Sequence, residues 1–171
     1  MKAKLIVNSA EVELGFKDLE WIAEFLEDTP RNIKIYEELA KSESYAIRVA
    51  VASKKCINEG IFQILIQDKS TEVLRVLVGN TSIEQFLNRN YIEKLIITKV
   101  PEIYVNLIER LFDLFLIVDG DWLCEMLIQN DVSVRYSLAK NHSTPTFVLR
   151  ELAGDRDINV ALQANQNLKE G

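Results

Sequence analysis

Apolar residues recur along this chain with two different periods. Between residues 3 and 16 they alternate, as Leu5 and Val7, then Val12, Leu14 and Phe16, with Asn8-Ser9-Ala10 in between. Period-two spacing around turn-forming residues predicts a small β-hairpin, with an irregular N-terminal arm as the alternative. From Asp18 the period lengthens. Leu19, Ile22, Ala23, Phe25 and Leu26 fall at helical spacing and stop at Asp28-Thr29-Pro30. Pro30 suits the first position of a new helix, because its missing N–H would be unpaired there anyway. Ile33, Ile35, Tyr36, Leu39 and Ala40 carry that helix on, and Ile47 to Ala52 form a third after Ser42-Glu43-Ser44. Further helical pieces are predicted near 58–66, 71–79, 82–88, 90–98, 101–118, 121–129, 131–139, 145–153 and 156–163. Leu107, Ile108, Leu111, Phe112, Leu114, Phe115 and Val118 exceed one narrow stripe. They predict a central helix from Tyr104 to Val118, buried on most sides.

The helical pieces repeat. Asp131, Val134, Arg135, Leu138 and Asn141 match Asp155, Ile158, Asn159, Leu162 and Asn165, a step of 24 residues. Earlier copies are looser: Ile47 to Ala52 matches Val134 to Ala139, and Val73 to Asn80 matches Val134 to Asn141. The two earlier copies stand 26 residues apart. In such a unit, Asp131 or Asp155 N-caps a short helix and Asn141 or Asn165 ends it. The pattern places Val134, Leu138, Leu149, Leu152 and Ile158 in the core. One unit cannot bury its apolar side alone, so units must stack.

Asp131, Val134, Arg135, Ala139, Asn141, Thr144, Pro145, Leu149 and Leu152 together resemble the variant leucine-rich repeat, a HEAT-like helical unit. The resemblance is good over 127–167, partial over 39–80, slight over 81–126 and absent from 1–28. It implies an all-α fold, a short right-handed α-solenoid of stacked helical repeats that offers a surface to a partner. Departures are Ala161, Gln163 and the lack of an Asn-x-x-Thr-Pro after Arg48. Some members of the family carry an N-terminal cysteine cluster and an iron–sulfur centre. This chain has no such cluster, so the centre is not carried over and no cofactor is expected. The expected organisation is one domain over 1–171, with a cap at 1–28, degenerate repeats at 29–80, irregular central helices at 81–130 and the clearest repeats at 131–171.

Charge narrows the function. Twenty Lys and Arg stand against 26 Asp and Glu, a formal charge of −6. Nucleic-acid binders need surplus cations to displace counterions, so a nucleic-acid partner is disfavoured. No apolar run approaches the roughly 20 residues of a membrane helix. Cys56 and Cys124 stand far apart without a CxxC, which reads as two free thiols and a cytoplasmic protein.

Candidate chemistry is sparse. His142, the single imidazole, sits in the turn Asn141-His142-Ser143-Thr144-Pro145. Asp119-Gly120-Asp121 resembles a calcium-loop fragment but is followed by Trp122, Leu123 and Cys124, so it reads as a turn with Asp121 capping the next helix. Asp131 and Arg135, like Ser44 and Arg48, are one helical turn apart, which reads as a structural pair or a solvated face. The alternative is a column of arginines, Arg48 and Arg135, reading an acidic partner. Val160, Leu162 and Leu168 are expected to leave apolar surface at the last unit, with Leu162 as a contact in a homodimer. Catalysis is not expected. The favoured function is a non-catalytic interaction or scaffold module with a protein partner. The alternative is a HEAT-like nucleic-acid-binding protein or DNA glycosylase-type enzyme.

Overall fold

The computed structural model describes residues 3–170, and they are mostly helical. The hairpin is present. Strands β1 (Ala3–Val7) and β2 (Ala10–Leu14) pair antiparallel, with Leu5 opposite Val12 and Val7 opposite Ala10. The loop is Asn8-Ser9, and both residues have positive φ, 49° and 70°. Left-handed backbone at both central residues gives the turn the twist that the strands need, and Asn tolerates it.

Contacts group the chain into two compact units, Met1–Phe86 and Leu87–Gly171. In the first unit the hairpin is followed by α1 (Phe16–Phe25), a 3-10 turn at Pro30–Asn32, α2 (Ile33–Leu39), α3 (Tyr45–Ala52), α4 (Glu59–Leu65), α5 (Thr71–Gly79) and a 3-10 stretch at Thr81–Phe86. Helix α3 packs between α1 and α5, while α2 packs against α1 and α3, and α4 against α2 and α5. Ile47, Val51, Ile61, Phe62, Leu65, Val73 and Leu77 are fully buried between these layers.

In the second unit come α6 (Arg89–Ile97), α7 (Pro101–Glu109), α8 (Leu111–Leu114), α9 (Gly120–Ile128), α10 (Val132–Lys140), α11 (Thr146–Leu152) and α12 (Ile158–Glu170). Helix α10 packs between α7 and α12, with α9 and α11 against it. No helix is long and apolar enough to cross a membrane among the described residues.

Two expectations need correction. The Tyr104–Val118 helix is broken at Arg110, whose φ of −103° and ψ of 16° leave the helical region. The break rotates the stripe, so Leu111, Leu114 and Val118 stay buried while Phe112 and Leu116 turn outward at 67% and 82% exposure. The chain then doubles back tightly. A Cβ at Gly120 would lie 2.7 Å from the Phe115 ring, so only glycine fits there without a shift.

The second correction concerns the last repeat, whose step from α10 is 26 residues rather than 24. Asp157, not Asp155, caps α12 by accepting from the N–H groups of Asn159 and Val160. Asp155 lies two residues earlier and accepts from the Asp157 N–H at 2.8 Å. Val160, Ala164 and Asn167 therefore face inward, and Ile158 and Leu162 face out at 70% and 63% exposure. Val134, Leu138, Leu149 and Leu152 are buried, while Ile158 leaves the core set. Chemical denaturation separates the two registers. Leu138→Ala should cost about 2–5 kcal/mol as a buried large-to-small change. Ile158→Ala should cost under about 0.5 kcal/mol as a surface change.

Candidate interaction faces

Short helices leave their last carbonyls without partners, and this fold supplies side chains for them. After α3, the Lys54 ammonium donates to the Glu24 and Leu26 carbonyls at the end of α1, at 2.9 and 3.1 Å. After α5, the Asn80 amide donates to the Ala52 and Lys54 carbonyls at the end of α3, at 2.9 and 2.7 Å. In the second unit, Asn141 donates to the Ile108 carbonyl near the end of α7 at 2.5 Å. Asn167, within α12, donates to the Ala139 and Asn141 carbonyls, both at 2.9 Å. Asn80 reaches back 28 and 26 residues, and Asn167 reaches back the same two distances.

A second device recurs in the same register. The Arg48 guanidinium makes a two-pronged pair with Asp68, Nε to Oδ2 at 2.5 Å and a terminal nitrogen to Oδ1 at 3.0 Å. Its other terminal nitrogen donates to the Ser42 and Glu43 carbonyls ahead of α3. Arg135 repeats this on Asp155, at 2.6 and 3.1 Å, and donates to the Asn130 carbonyl ahead of α10. In both units the aspartate lies 20 residues beyond the arginine. Arg48 therefore corresponds to Arg135, Asp68 to Asp155 and Asn80 to Asn167.

The pairs shift the titration of their carboxylates. The Arg135 hydrogen bond, against burial, holds Asp155 below the usual carboxylate range. Burial pushes Asp68 up, but Arg48 and the Ser70 N–H outweigh it, and the net direction is again down. Both arginines are pushed up by their aspartates.

This places the sequence candidates. Arg48 and Arg135 do not form an outward column, because their guanidinium groups clamp the chain internally. Arg135 pairs with Asp155 rather than Asp131, which instead caps α10 through the Ser133 and Val134 N–H groups. Ser44 gives its hydroxyl to Glu20 rather than joining Arg48. Asp119, not Asp121, caps α9, accepting from the Trp122 N–H at 2.7 Å. His142 is exposed in its turn. Burial, with Asp121 adding to it, pushes the Cys124 thiol up to about 12. Among the described residues no His, Cys, Asp and Glu side chains gather as a metal site.

Three grooves lie along the outward sides of α1 and α3, of α7 and α10, and of α10 and α12. Between α10 and α12 lies a groove of about 670 Å³ lined by Val132, Tyr136, Leu162 and the polar Ser133, Asp157 and Gln163. A second, of about 380 Å³, lies between α7 and α10 and is lined by Val105, Ile108, Tyr136, Ser137 and Lys140. Tyr136 and Ser137 line both. In the first unit a groove of about 360 Å³ between α1 and α3 is lined by Glu20, Glu24, Ala46, Val49, Ala50 and Ser53. In the shared register Val49, Ala50 and Ser53 stand where Tyr136, Ser137 and Lys140 stand. The sequence singled out Leu162 but missed Tyr136 and Val49, which sit inside matched segments and differ in residue type.

The clasp is open to test. The Arg135 and Asp155 side chains are each 8% exposed. Arg135→Met leaves a buried carboxylate without its cation, and should destabilise by about 3–5 kcal/mol in urea denaturation. Both aspartates have folded pKa values below their unfolded ones. Their contribution is therefore complete above the unfolded value, about 3.9, and is lost as pH falls towards the folded value. The stability difference between wild type and Asp155→Asn should shrink progressively as denaturation is repeated below about pH 4. No family model, curated protein or solved structure matches this chain.

Proposed function

We propose that this chain is a non-catalytic protein-interaction module, a short right-handed α-solenoid of HEAT-like, variant leucine-rich repeats whose inner-helix faces dock a protein partner. The observation that carries the reading is the recurrence of grooves at corresponding positions of the two units. The arginines, aspartates and asparagines that repeat are taken up in holding helices together. The positions that vary between the units line the grooves, as expected where a common frame carries a particular contact surface. Exposed Tyr136, Val132 and Leu162 add the aromatic and aliphatic area that protein interfaces use. The nucleic-acid reading draws no support from these walls, where among the described residues Glu20, Glu24, Glu109 and Asp157 stand against Lys140 as the one cation. Its two free thiols support a cytoplasmic setting for this module.

Quantitative capture from an extract of its own cells tests the reading. The tagged full chain should retain a defined set of proteins at physiological salt. Tyr136→Glu or Val49→Glu should lose a subset while keeping the wild-type circular dichroism spectrum. Retention indifferent to both variants would overturn the assignment, as would retention of duplex DNA that survives physiological salt.

A further inference from the structure

The charge of this protein is not spread evenly. Residues 11–43 hold ten carboxylates against four Lys and Arg, so they account for the whole formal charge of −6 and the rest of the chain is balanced. The groove between α1 and α3 lies within this acidic stretch and its neighbour helix. Its walls carry Glu20 and Glu24, and its floor is made of the small side chains Ala46, Val49 and Ala50. Glu20 accepts a hydrogen bond from the Ser44 hydroxyl at 2.8 Å, which brings no charge. Among the described residues neither carboxylate is in an ion pair, and the Lys54 ammonium meets only the backbone carbonyl of Glu24. The ion pairs of this unit, Lys4 with Glu11, Lys41 with Glu38, Arg48 with Asp68 and Arg75 with Glu72, lie away from the two glutamates. Along the same helix Trp21 and Phe25 pack against each other at 5.3 Å between ring centres, yet are 64% and 62% exposed. Tyr45, at the start of α3, is 59% exposed.

We propose that the α1–α3 groove docks a cationic amphipathic helix of a partner protein, with Lys or Arg against Glu20 and Glu24 and apolar side chains over Trp21 and Phe25. The inference deepens the interaction-module reading and rests on it. Each part of the surface asks for part of that occupant. Unpaired carboxylates flanking an apolar floor favour an ordered cation over water, and they steer it from a distance. Small residues on the floor let a helix axis approach closely, since interaxial distance is set by the side chains at the contact. Two adjacent exposed rings supply anchor area of the type that dominates interface energetics, and they also attract cations over their faces. A second copy paired across a two-fold axis at this site does not fit, because it would bring the same acidic stretch against these carboxylates. A nucleic acid is excluded by the same repulsion.

The test uses the full chain carrying Trp122→Phe, which leaves Trp21 as its single tryptophan. The probe is a synthetic 18-residue helix of Lys and Leu in amphipathic register, with a Glu/Leu helix of the same pattern as control. Trp21 emission should shift to the blue and saturate with the Lys/Leu helix, and should not respond to the Glu/Leu helix. Raising the salt should weaken the binding. The double substitution Glu20→Lys/Glu24→Lys should weaken it at least tenfold. The same change of charge at two exposed glutamates of the second unit, Glu125→Lys/Glu151→Lys, should alter it by less than twofold. Trp21→Ala/Phe25→Ala, read by calorimetry, should also weaken it. Equal losses in the two charge-reversed proteins would show attraction to net charge alone and overturn the proposal, as would a response to both helices or to neither. The broader reading fails separately. If capture from extract still depends on Tyr136 while the Lys/Leu helix does not bind, the module stands and this groove assignment falls.

Discussion

The structure depends on how its short helices satisfy their last carbonyls. Helices of eight or nine residues, such as α3, α7 and α10, have nearly as many unpaired carbonyls at their ends as internal hydrogen bonds. Water could satisfy them only if the helix ends stayed exposed, and the packing of neighbours forbids that. Lys54, Asn80, Asn141 and Asn167 resolve the conflict by reaching back from one helix to the end of an earlier one. An amide or ammonium donor in each case ties helix spacing to a hydrogen bond of fixed length. Replacing such a donor with an apolar group would leave carbonyls buried and unpaired, which costs more than a typical exposed contact returns.

The arginine clasps work alongside that ladder. Arg48 and Arg135 each hold three things at once: the segment entering their own helix, the helix itself and the aspartate ahead of a later helix. A planar, always-charged fork suits this duty better than lysine would. Because the aspartate also accepts a backbone N–H two residues on, each clasp fixes the turn that launches a later helix, α5 or α12. With the inward faces of α3 and α10 committed to packing and their arginines to the clasps, only their outward faces can vary freely. Val49 and Tyr136 mark that freedom. They occupy corresponding places beside corresponding arginines, one small and one large.

Much of the frame was legible in the chain itself. The two periods of apolar residues placed the hairpin and most helices, because which face is buried is a property of local spacing. The Arg48 and Arg135 segments were matched correctly, since both sit in the same short apolar context. The last repeat was misread by two residues because Asp155 and Asp157 are both credible caps, and Asn165 and Asn167 are both credible ends. Local chemistry does not choose between them. The choice is made by Arg135, which takes Asp155 and leaves Asp157 to cap α12. The break at Arg110 was invisible for a similar reason, since nothing in Glu109-Arg110-Leu111 forbids a helix and only the surrounding packing turns the chain there.

By itself, then, the sequence determined the kind of element at most positions, the buried stripe of each and the presence of a repeated unit. Those properties follow from neighbours a few residues apart. Tertiary structure alone decided which aspartate Arg48 and Arg135 hold, which asparagines close the ends of α3, α7 and α10, and which exposed helix residues line grooves. Those outcomes depend on partners 20 to 33 residues away, and a distance of that kind is set by how the intervening helices stack.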